Sequence, residues 1–246
     1  MEWYPRNPDL LEKSLNEYLE KPSEDSKKEI DIPKEINGLI VPHAGYIFSG
    51  AIAGKAFSLL KKSEKVFDRA IILAPSHYES FRGIRAINEI ETPLGEIKIT
   101  ENDYPKLEYE HAIDNQVPFL QKLEISEVLP LVIGEIDKNQ IKEAVEYITE
   151  ELQKNPHTII VVSTDLSHFL DNDNAIKTDK QTLEIIQNLN SEETEKINAC
   201  GKYPLEILIE LCRQKNWQPQ LIEYKNSGDV IGDKSRVVGY ASYVLF

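Results

Sequence analysis

The sequence has few cysteines and no long apolar run. Its 246 residues include only Cys200 and Cys212, too few for a disulfide framework. No apolar run approaches the roughly 20 residues that a membrane-spanning helix needs. The N-terminus carries early acids and lacks the apolar core of a signal peptide. These absences predict a reduced, cytoplasmic protein with no membrane partner.

Basic residues are also scarce. The chain has 28 Lys and Arg against 42 Asp and Glu, a net charge of −14. Contacts with a phosphate backbone or an anionic membrane need clustered cations. The lysine pairs at 27–28 and 61–62 lie beside acids and are typical of a solvated surface. The charge balance therefore argues against nucleic acid as a partner.

Apolar segments alternate with helical patterns along most of the chain. Four of them have the continuous apolar character of buried strands: INGLIVP, RAIILAPSH, VLPLVIG and HTIIVVSTDLSH. Such strands separated by helices predict one α/β domain over residues 1–246. Its central sheet should be mixed and largely parallel, with helices on both faces. We expect an N-terminal helix at about 8–20 and a surface excursion at 21–35.

The second half of the chain carries further helix and strand patterns. Helices are predicted at about 173–189 and 191–199, and Pro204 is expected to open another. The chain closes with two strand-like segments, QLIEYKN and RVVGYASYVLF. These two segments are expected to add antiparallel strands to the sheet.

Three of the five histidines follow predicted strands. His43, His77 and His168 each come just after the carboxyl end of a buried strand, the edge where open α/β sheets bind ligands. His111 should begin a helix and reach the same edge, whereas His157 precedes its strand. One such histidine is more often a hydrogen-bonded loop residue than a ligand. Their shared placement favours a metal-capable pocket.

A third ligand would complete such a site, and two candidates remain open. Cys200 lies just before the helix with Pro204, where a helix N-terminus should lower the thiol pKa. Asp165 is the carboxylate alternative, although it could equally cap a turn or orient an imidazole. Cys212 has the position of a buried, inert thiol in that helix. In the tail, the two Gly-Asp pairs of SGDVIGD (227–233) should make a tight turn, and Asp229 is expected to support or cap the pocket.

Seven segments of the chain resemble the Memo family, also called the AmmeMemoRadiSam system protein B family. They occur in the family's order and are distributed over residues 41–242. The matching segments are VPHAGYIFSG (41–50), APSH (74–77), ETPLGE (91–96), EHAIDNQVPFLQ (110–121), STDLSHF (163–169), ACGKYP (199–204) and YKNSGDVIGDKSRVVGYAS (224–242).

The resemblance implies a fold and a set of site residues. Memo proteins are similar in fold to class III extradiol dioxygenases, which are non-haem iron enzymes. It implies His43, His77 and Cys200 as ligands of a transition metal, iron or copper, with zinc also open. His168 would match the dioxygenase general base. Asp165 and His111 would line the pocket as further catalytic residues. The other pocket residues expected from these segments are Tyr46, Ser76, Gln116 and Asp229.

The chain departs from related patterns at two ligand positions. Where the vertebrate Memo pattern has a second histidine in EHxIxxH, this chain has Gln116. The third dioxygenase ligand is a carboxylate, whereas Cys200 stands here, and a thiolate favours softer metals. Ring cleavage therefore does not follow from the fold.

Three functions fit these residues. The first is a metal-dependent redox or oxygen-using enzyme acting on a small molecule or peptide. The resemblance implies radical-SAM and AMMECR1-type proteins as its partners. The second is a non-catalytic binding or scaffold protein that retains the pocket. The third is a zinc hydrolase, in which metal-bound water attacks the substrate.

Overall fold

The computed structural model describes residues 2–20 and 35–246. The predicted surface excursion at 21–35 lies, apart from Glu35, outside the described residues. Within them, eight α-helices are numbered here in chain order. They are α1 (Pro8–Glu20), α2 (Tyr46–Leu60), α3 (His111–Asp114), α4 (Val117–Lys122), α5 (Lys138–Lys154), α6 (Asn172–Gln187), α7 (Lys202–Lys215) and α8 (Ser227–Ile231).

Twelve strands are found in the same part of the chain. Ten of them form one sheet, and β4 and β5 form a separate short hairpin. The strands are β1 (Gly38–Val41), β2 (Arg69–Pro75), β3 (Ile84–Ile87), β4 (Glu91–Thr92), β5 (Gly95–Glu96), β6 (Lys98–Ile99), β7 (Lys106–Leu107), β8 (Glu127–Ile133), β9 (Thr158–Ser163), β10 (His168–Leu170), β11 (Pro219–Asn226) and β12 (Val237–Leu245).

Four parallel strands form the centre of the large sheet, in the order β1, β9, β2 and β8. Antiparallel strands extend it on both sides, with β12 beside β1 and β3 beside β8. The parallel strands end at a common edge, so the loops that follow β1, β2 and β9 meet there.

The two faces of the sheet carry separate apolar clusters. One face packs on α1, α2, α3 and α4, and the other packs on α5, α6 and α7. Along β9, side chains alternate between them: Ile159 and Val161 face the first cluster, and Ile160 and Val162 face the second. Because both faces are covered, the central strands are apolar throughout. The predicted single α/β domain with a mixed, largely parallel sheet is confirmed.

Close contact between α1 and α2 brings the N-terminal segment to the same edge. A Cβ at Gly54 would lie only 2.6 Å from the carbonyl oxygen of Tyr18, so glycine lets the two helices approach. Ahead of α1, the Trp3 carbonyl accepts a hydrogen bond of 2.8 Å from the backbone N–H of Tyr46. This bond satisfies one of the free N–H groups at the start of α2.

The structure differs from two local predictions. The helix expected at 191–199 is only a 3-10 turn at Thr194–Lys196. The asparagine and serine residues around it compete for backbone hydrogen bonds, and the backbone N–H of Glu192 bonds to Asn190. The Gly-Asp segment expected to be a tight turn forms the short helix α8, which ends at Gly232 with φ of 82°. No helix among the described residues is long and apolar enough to cross a membrane.

Candidate metal centre

Three predicted ligands converge at the carboxyl edge of the sheet. His43 follows β1, His77 follows β2, and Cys200 lies just before α7. One ligand atom from each lies within 4.8 Å of the others. The imidazole rings of His43 and His77 meet edge to face with centroids 5.0 Å apart. The structure therefore brings together the histidine pair and the thiol.

Ser163, the last residue of β9, fixes the orientation of His43. Its hydroxyl donates to the carbonyl of Ala112 at 2.6 Å and accepts from the side-chain amide of Gln116 at 2.9 Å. With its proton already committed, Oγ accepts from Nδ1 of His43 at 3.0 Å. His43 therefore carries its proton on Nδ1. Its Nε2 lone pair faces Sγ of Cys200 at 3.2 Å.

Glu110 fixes His77 in the same way. Its Oε1 lies 3.0 Å from Nδ1 of His77, and its Oε2 accepts from the His77 backbone N–H at 2.7 Å. A carboxylate only accepts, so Nδ1 carries the proton and Nε2 is left as the lone-pair atom. A carboxylate that holds the outer nitrogen of a metal-binding histidine is a common arrangement.

The protonation states of His43 and Glu110 suit this arrangement. Burial, together with the neighbouring His77 and His111, holds the pKa of His43 well below its usual range. Burial alone would raise the pKa of Glu110, but the imidazole nitrogens of His111 and His77 beside the carboxylate, together with hydrogen bonds from the backbone N–H groups of His77 and Ala112, outweigh it and hold that pKa well below normal. His43 is therefore neutral and Glu110 is ionised, as metal binding requires.

The thiol of Cys200 differs from its sequence expectation. A lowered pKa was predicted from the nearby helix, but burial and the carboxylate of Asp165 raise it to about 12. Sγ accepts from the backbone N–H of Asp165 at 3.2 Å, and a hydrogen bond from the Gly201 backbone N–H at the start of α7 lowers the pKa too little to offset burial. Without metal, Cys200 is therefore a protonated thiol. The thiol loses its proton when it binds a metal ion.

Asp165 was the alternative third ligand, and the structure gives it a different position. Its Oδ1 accepts from the backbone N–H groups of His43 at 2.8 Å and Ala44 at 3.3 Å. Neither of the two metal-capable groups found within residues 2–20 and 35–246 includes it. Asp165 therefore holds the loop after β1, which carries His43.

His168 begins β10 and is exposed. It is close enough to act electrostatically on His43 and on Asp165. The buried carboxylate of Asp179 accepts from the backbone N–H of Ser167 at 2.9 Å and so holds the loop before His168. Phe169 has φ of 62°, a strained conformation for a large residue. His168 thus lies beside the cluster on a tightly held loop.

His111 lies within the cluster, as its position at the start of a helix predicted. Its ring centroid is 4.4 Å from that of His77 and 5.3 Å from that of His43. The indole of Trp3 stacks on the other side of His111, with centroids 4.0 Å apart and planes 11° apart. The N-terminal segment therefore forms one wall of the site.

The other expected pocket residues have supporting positions. Gln116 bonds to Ser163, and the hydroxyl of Tyr46 donates to the carbonyl of Asn115 at 2.8 Å. Ser76 donates to the carbonyl of Glu79 at 2.6 Å, within the loop that carries His77. The carboxylate of Asp229 accepts from the backbone N–H of Asn226 and caps α8.

Sequence reasoning missed Glu110, Ser163 and Trp3 as site residues. Glu110 lies directly before His111 at a helix start, and its carboxylate caps α3 through the backbone N–H of Ala112 at 3.0 Å. That capping position was the one available signal. No local pattern links Trp3 to the strand ends, since α1 and the residues after it lie between them in the chain.

Comparisons with known proteins agree with this geometry. A family model described as "Memo-like protein" matches residues 2–244. A "MEMO1 family protein" of Sulfurisphaera tokodaii is 34% identical over 82% of this chain and 80% of its own length. Another from Archaeoglobus fulgidus is 28% identical over 99% of this chain and 96% of its length. A third, from Sulfolobus acidocaldarius, is 32% identical over 82% of this chain.

The family model, which matches residues 2–244, covers the strands, the histidine loops and the cysteine segment together. The dioxygenase-like fold that the resemblance implied agrees with the mixed sheet found here. The chain belongs to the Memo family.

Proposed function

We propose that this chain is a metal-dependent redox or oxygen-using enzyme, with an iron or copper ion held by His43, His77 and Cys200. The observation that supports it is the convergence of one ligand atom from each residue within 4.8 Å. Ser163 and Glu110 direct the free Nε2 atoms of the two histidines. A hydrogen bond to Nδ1 of each histidine that leaves both Nε2 atoms free is the arrangement typical of metal-binding histidines.

The donor set fits a soft or borderline transition metal. Two imidazole nitrogens and a thiolate suit copper, iron and zinc, and they suit magnesium and calcium poorly. Within the cluster, Sγ of Cys200 is held by a backbone N–H and faces Nε2 of His43. When bound at three protein ligands, iron or copper supplies one-electron chemistry and an open position for oxygen or substrate.

The chain's own residues perform three tasks in this proposal. Trp3 and His111 exclude water from one side of the pocket. The side chain of His77 is 27% exposed, so a small molecule or peptide approaches from its side. His168 takes or returns a proton on that ligand, because it is exposed beside the cluster and imidazole is suited to proton transfer near neutral pH. Radical-SAM and AMMECR1-type proteins are its proposed partners in the cytoplasm.

Oxygen uptake by iron- or copper-loaded protein tests the proposal, with catechol and ascorbate as separate reductants. We expect uptake by the wild type and none by metal-free His43→Ala protein. His168→Gln should lower the rate by about 100-fold or more with metal content unchanged, since general acid–base catalysis contributes roughly that much. His157→Gln is the matched control, because His157 lies exposed before β9, away from the ligands.

Two outcomes would contradict this proposal. No uptake above the His43→Ala level at full metal occupancy would favour the binding or scaffold function. Anaerobic hydrolysis of ester probes by zinc-loaded protein, without oxygen uptake by the iron or copper form, would favour the hydrolase.

A further inference from the structure

A second group of potential ligands lies on the outer side of His77. His77, Glu110 and His111 each offer one ligand atom, all within 4.8 Å of one another. Nδ1 of His77 and Nδ1 of His111 both lie 3.0 Å from Oε1 of Glu110. Two imidazole nitrogens therefore converge on one carboxylate oxygen, outside the site that contains Cys200.

The spacing of these atoms suits a bound ion. Ligand atoms about 2.1 Å from an ion lie about 3.0 Å apart at the right angles of six-coordinate geometry and about 3.4 Å apart at tetrahedral angles, so the two 3.0 Å separations suit a six-coordinate ion. The side chain of Glu110 is 1% exposed and that of His111 is 7% exposed. Glu110 is also fixed by the backbone N–H groups of His77 and Ala112. The ligands are thus held at ion-binding distances.

His111 has a polar atom that the protein leaves unpaired. Its buried Nδ1 makes no hydrogen bond of acceptable geometry, although Oε1 of Glu110 is near. An unpaired buried polar atom costs about 1–3 kcal/mol. As the Nε2-protonated tautomer, His111 would present the Nδ1 lone pair to the space beside the carboxylate. A cation there would satisfy this nitrogen and the charge of Glu110 together.

A cavity with an acidic lining borders Glu110. Its volume is about 100 Å³, and most of its polar lining is acidic. That lining includes Arg6, Glu89, Glu91, Glu108, Glu110 and Asp114. The excess of carboxylates favours entry of a cation over an anion.

We propose that His77, Glu110 and His111 form a second metal site, which takes a borderline divalent cation such as Zn²⁺, Co²⁺ or Fe²⁺. Two imidazoles and a carboxylate make it harder than the site with Cys200, so the two sites prefer different metals. His77 serves the inner site through Nε2 and the outer site through Nδ1. Binding of a cation at Nδ1 would release the Nδ1 proton of His77 to solvent, and with both sites filled His77 would serve both ions as an imidazolate.

This site goes beyond the proposed function and shares only His77 with it. Anaerobic titration of metal-free, full-length protein with Co²⁺ separates the two sites, because only the inner site gives a thiolate-to-cobalt charge-transfer band in the near ultraviolet. Wild type should bind two equivalents. His111→Phe keeps the stacking surface for Trp3 without ring nitrogens, and it should bind one equivalent with the band intact. Cys200→Ala should bind one equivalent without the band.

Glu146→Gln is the matched control, because Glu146 is exposed on α5, belongs to neither ligand set and does not line this cavity, and it should keep two equivalents. Circular dichroism would confirm that each variant is folded. One equivalent with the band in both wild type and His111→Phe would overturn the second site, leaving the first intact. A second equivalent that survives in His111→Phe would also overturn it. If wild type bound one equivalent of Co²⁺ without the band, and His111→Phe bound none, the result would support the second site and contradict the first.

Discussion

Replacing Glu110 with glutamine is expected to weaken metal binding at the His43, His77 and Cys200 site by about 10- to 100-fold, as loss of such outer partners does in other metal sites. The two oxygens of the Glu110 carboxylate accept hydrogen bonds from the ring and from the backbone N–H of His77. A glutamine side chain has only one oxygen, so its NH₂ group would face one of these two donors and could not accept a hydrogen bond from it. The imidazole then loses its fixed orientation, and Nε2 no longer faces the other two ligands at all times.

The affinity is measured by cobalt titration that follows the thiolate-to-cobalt band alone, so an ion at the second site does not contribute to the measured signal. Glu108→Gln removes a charge from the exposed chain two residues away and should leave the affinity unchanged. Some loss of stability is expected as well, because Glu110 caps α3. Wild-type affinity in folded Glu110→Gln protein would show that this carboxylate does not position His77.

Replacing Arg69 with methionine should lower the free energy of unfolding by about 3 kcal/mol, because it removes the buried partner of the Glu151 carboxylate and leaves only the exposed Lys154 beside it. Arg69 begins β2 with a side chain only 4% exposed, and it donates to Glu151 on α5 at 2.6 Å. Its Nε also donates to the hydroxyl of Thr100 at 3.0 Å. For a chain of this length, that loss corresponds to roughly 6–12 °C in melting temperature.

A surface pair provides the matched control for Arg69. Arg82→Met breaks a pair with Glu135 in which both side chains are mostly exposed, and it should change stability by less than about 0.5 kcal/mol. The double variant Arg69→Met with Glu151→Leu should recover most of the loss, since no buried charge then remains unpaired. Equal effects of Arg69→Met and Arg82→Met would contradict the assignment of a buried ion pair.

The effect of Arg69 should also depend on pH. Burial raises the pKa of Glu151, but hydrogen bonds from Lys154 and Arg69 outweigh it and leave that pKa below the ordinary value of 4.5. A carboxyl group with a lowered folded-state pKa stabilises the fold above its unfolded pKa and loses this contribution as the pH falls through the folded one. The difference in the free energy of unfolding between wild type and Arg69→Met should therefore have its full value at pH 7 and decrease at acidic pH.

Periodicity and position predicted the frame of the site. The apolar character of β1, β2 and β9 identified parallel strands buried on both faces, and parallel strands end at one edge. That rule alone brought His43 and His77 together. Joining Cys200 to them as a ligand came from the resemblance, because the cysteine segment lies 157 residues after His43.

Sequence reasoning was weaker where a long-range contact decides the chemistry. The pKa of Cys200 follows from burial and from Asp165, neither of which is visible beside the helix start that suggested a lowered value. Ser163 and Glu110 act through hydrogen bonds that join distant loops. Trp3 reaches His111 only because α1 packs closely on α2. Such partners require the tertiary structure.

The central claim is that Cys200 helps to hold a metal ion, and metal content tests it most directly. Iron, copper and zinc should be measured in untagged protein purified without oxygen, for wild type, Cys200→Ala and Cys212→Ala. Cys212 is the matched control, because it is a fully buried thiol among apolar residues of α7. We expect Cys200→Ala to lose one equivalent of iron or copper per chain and Cys212→Ala to lose none. Equal metal content in all three proteins, or only traces in each, would contradict a metal centre at His43, His77 and Cys200.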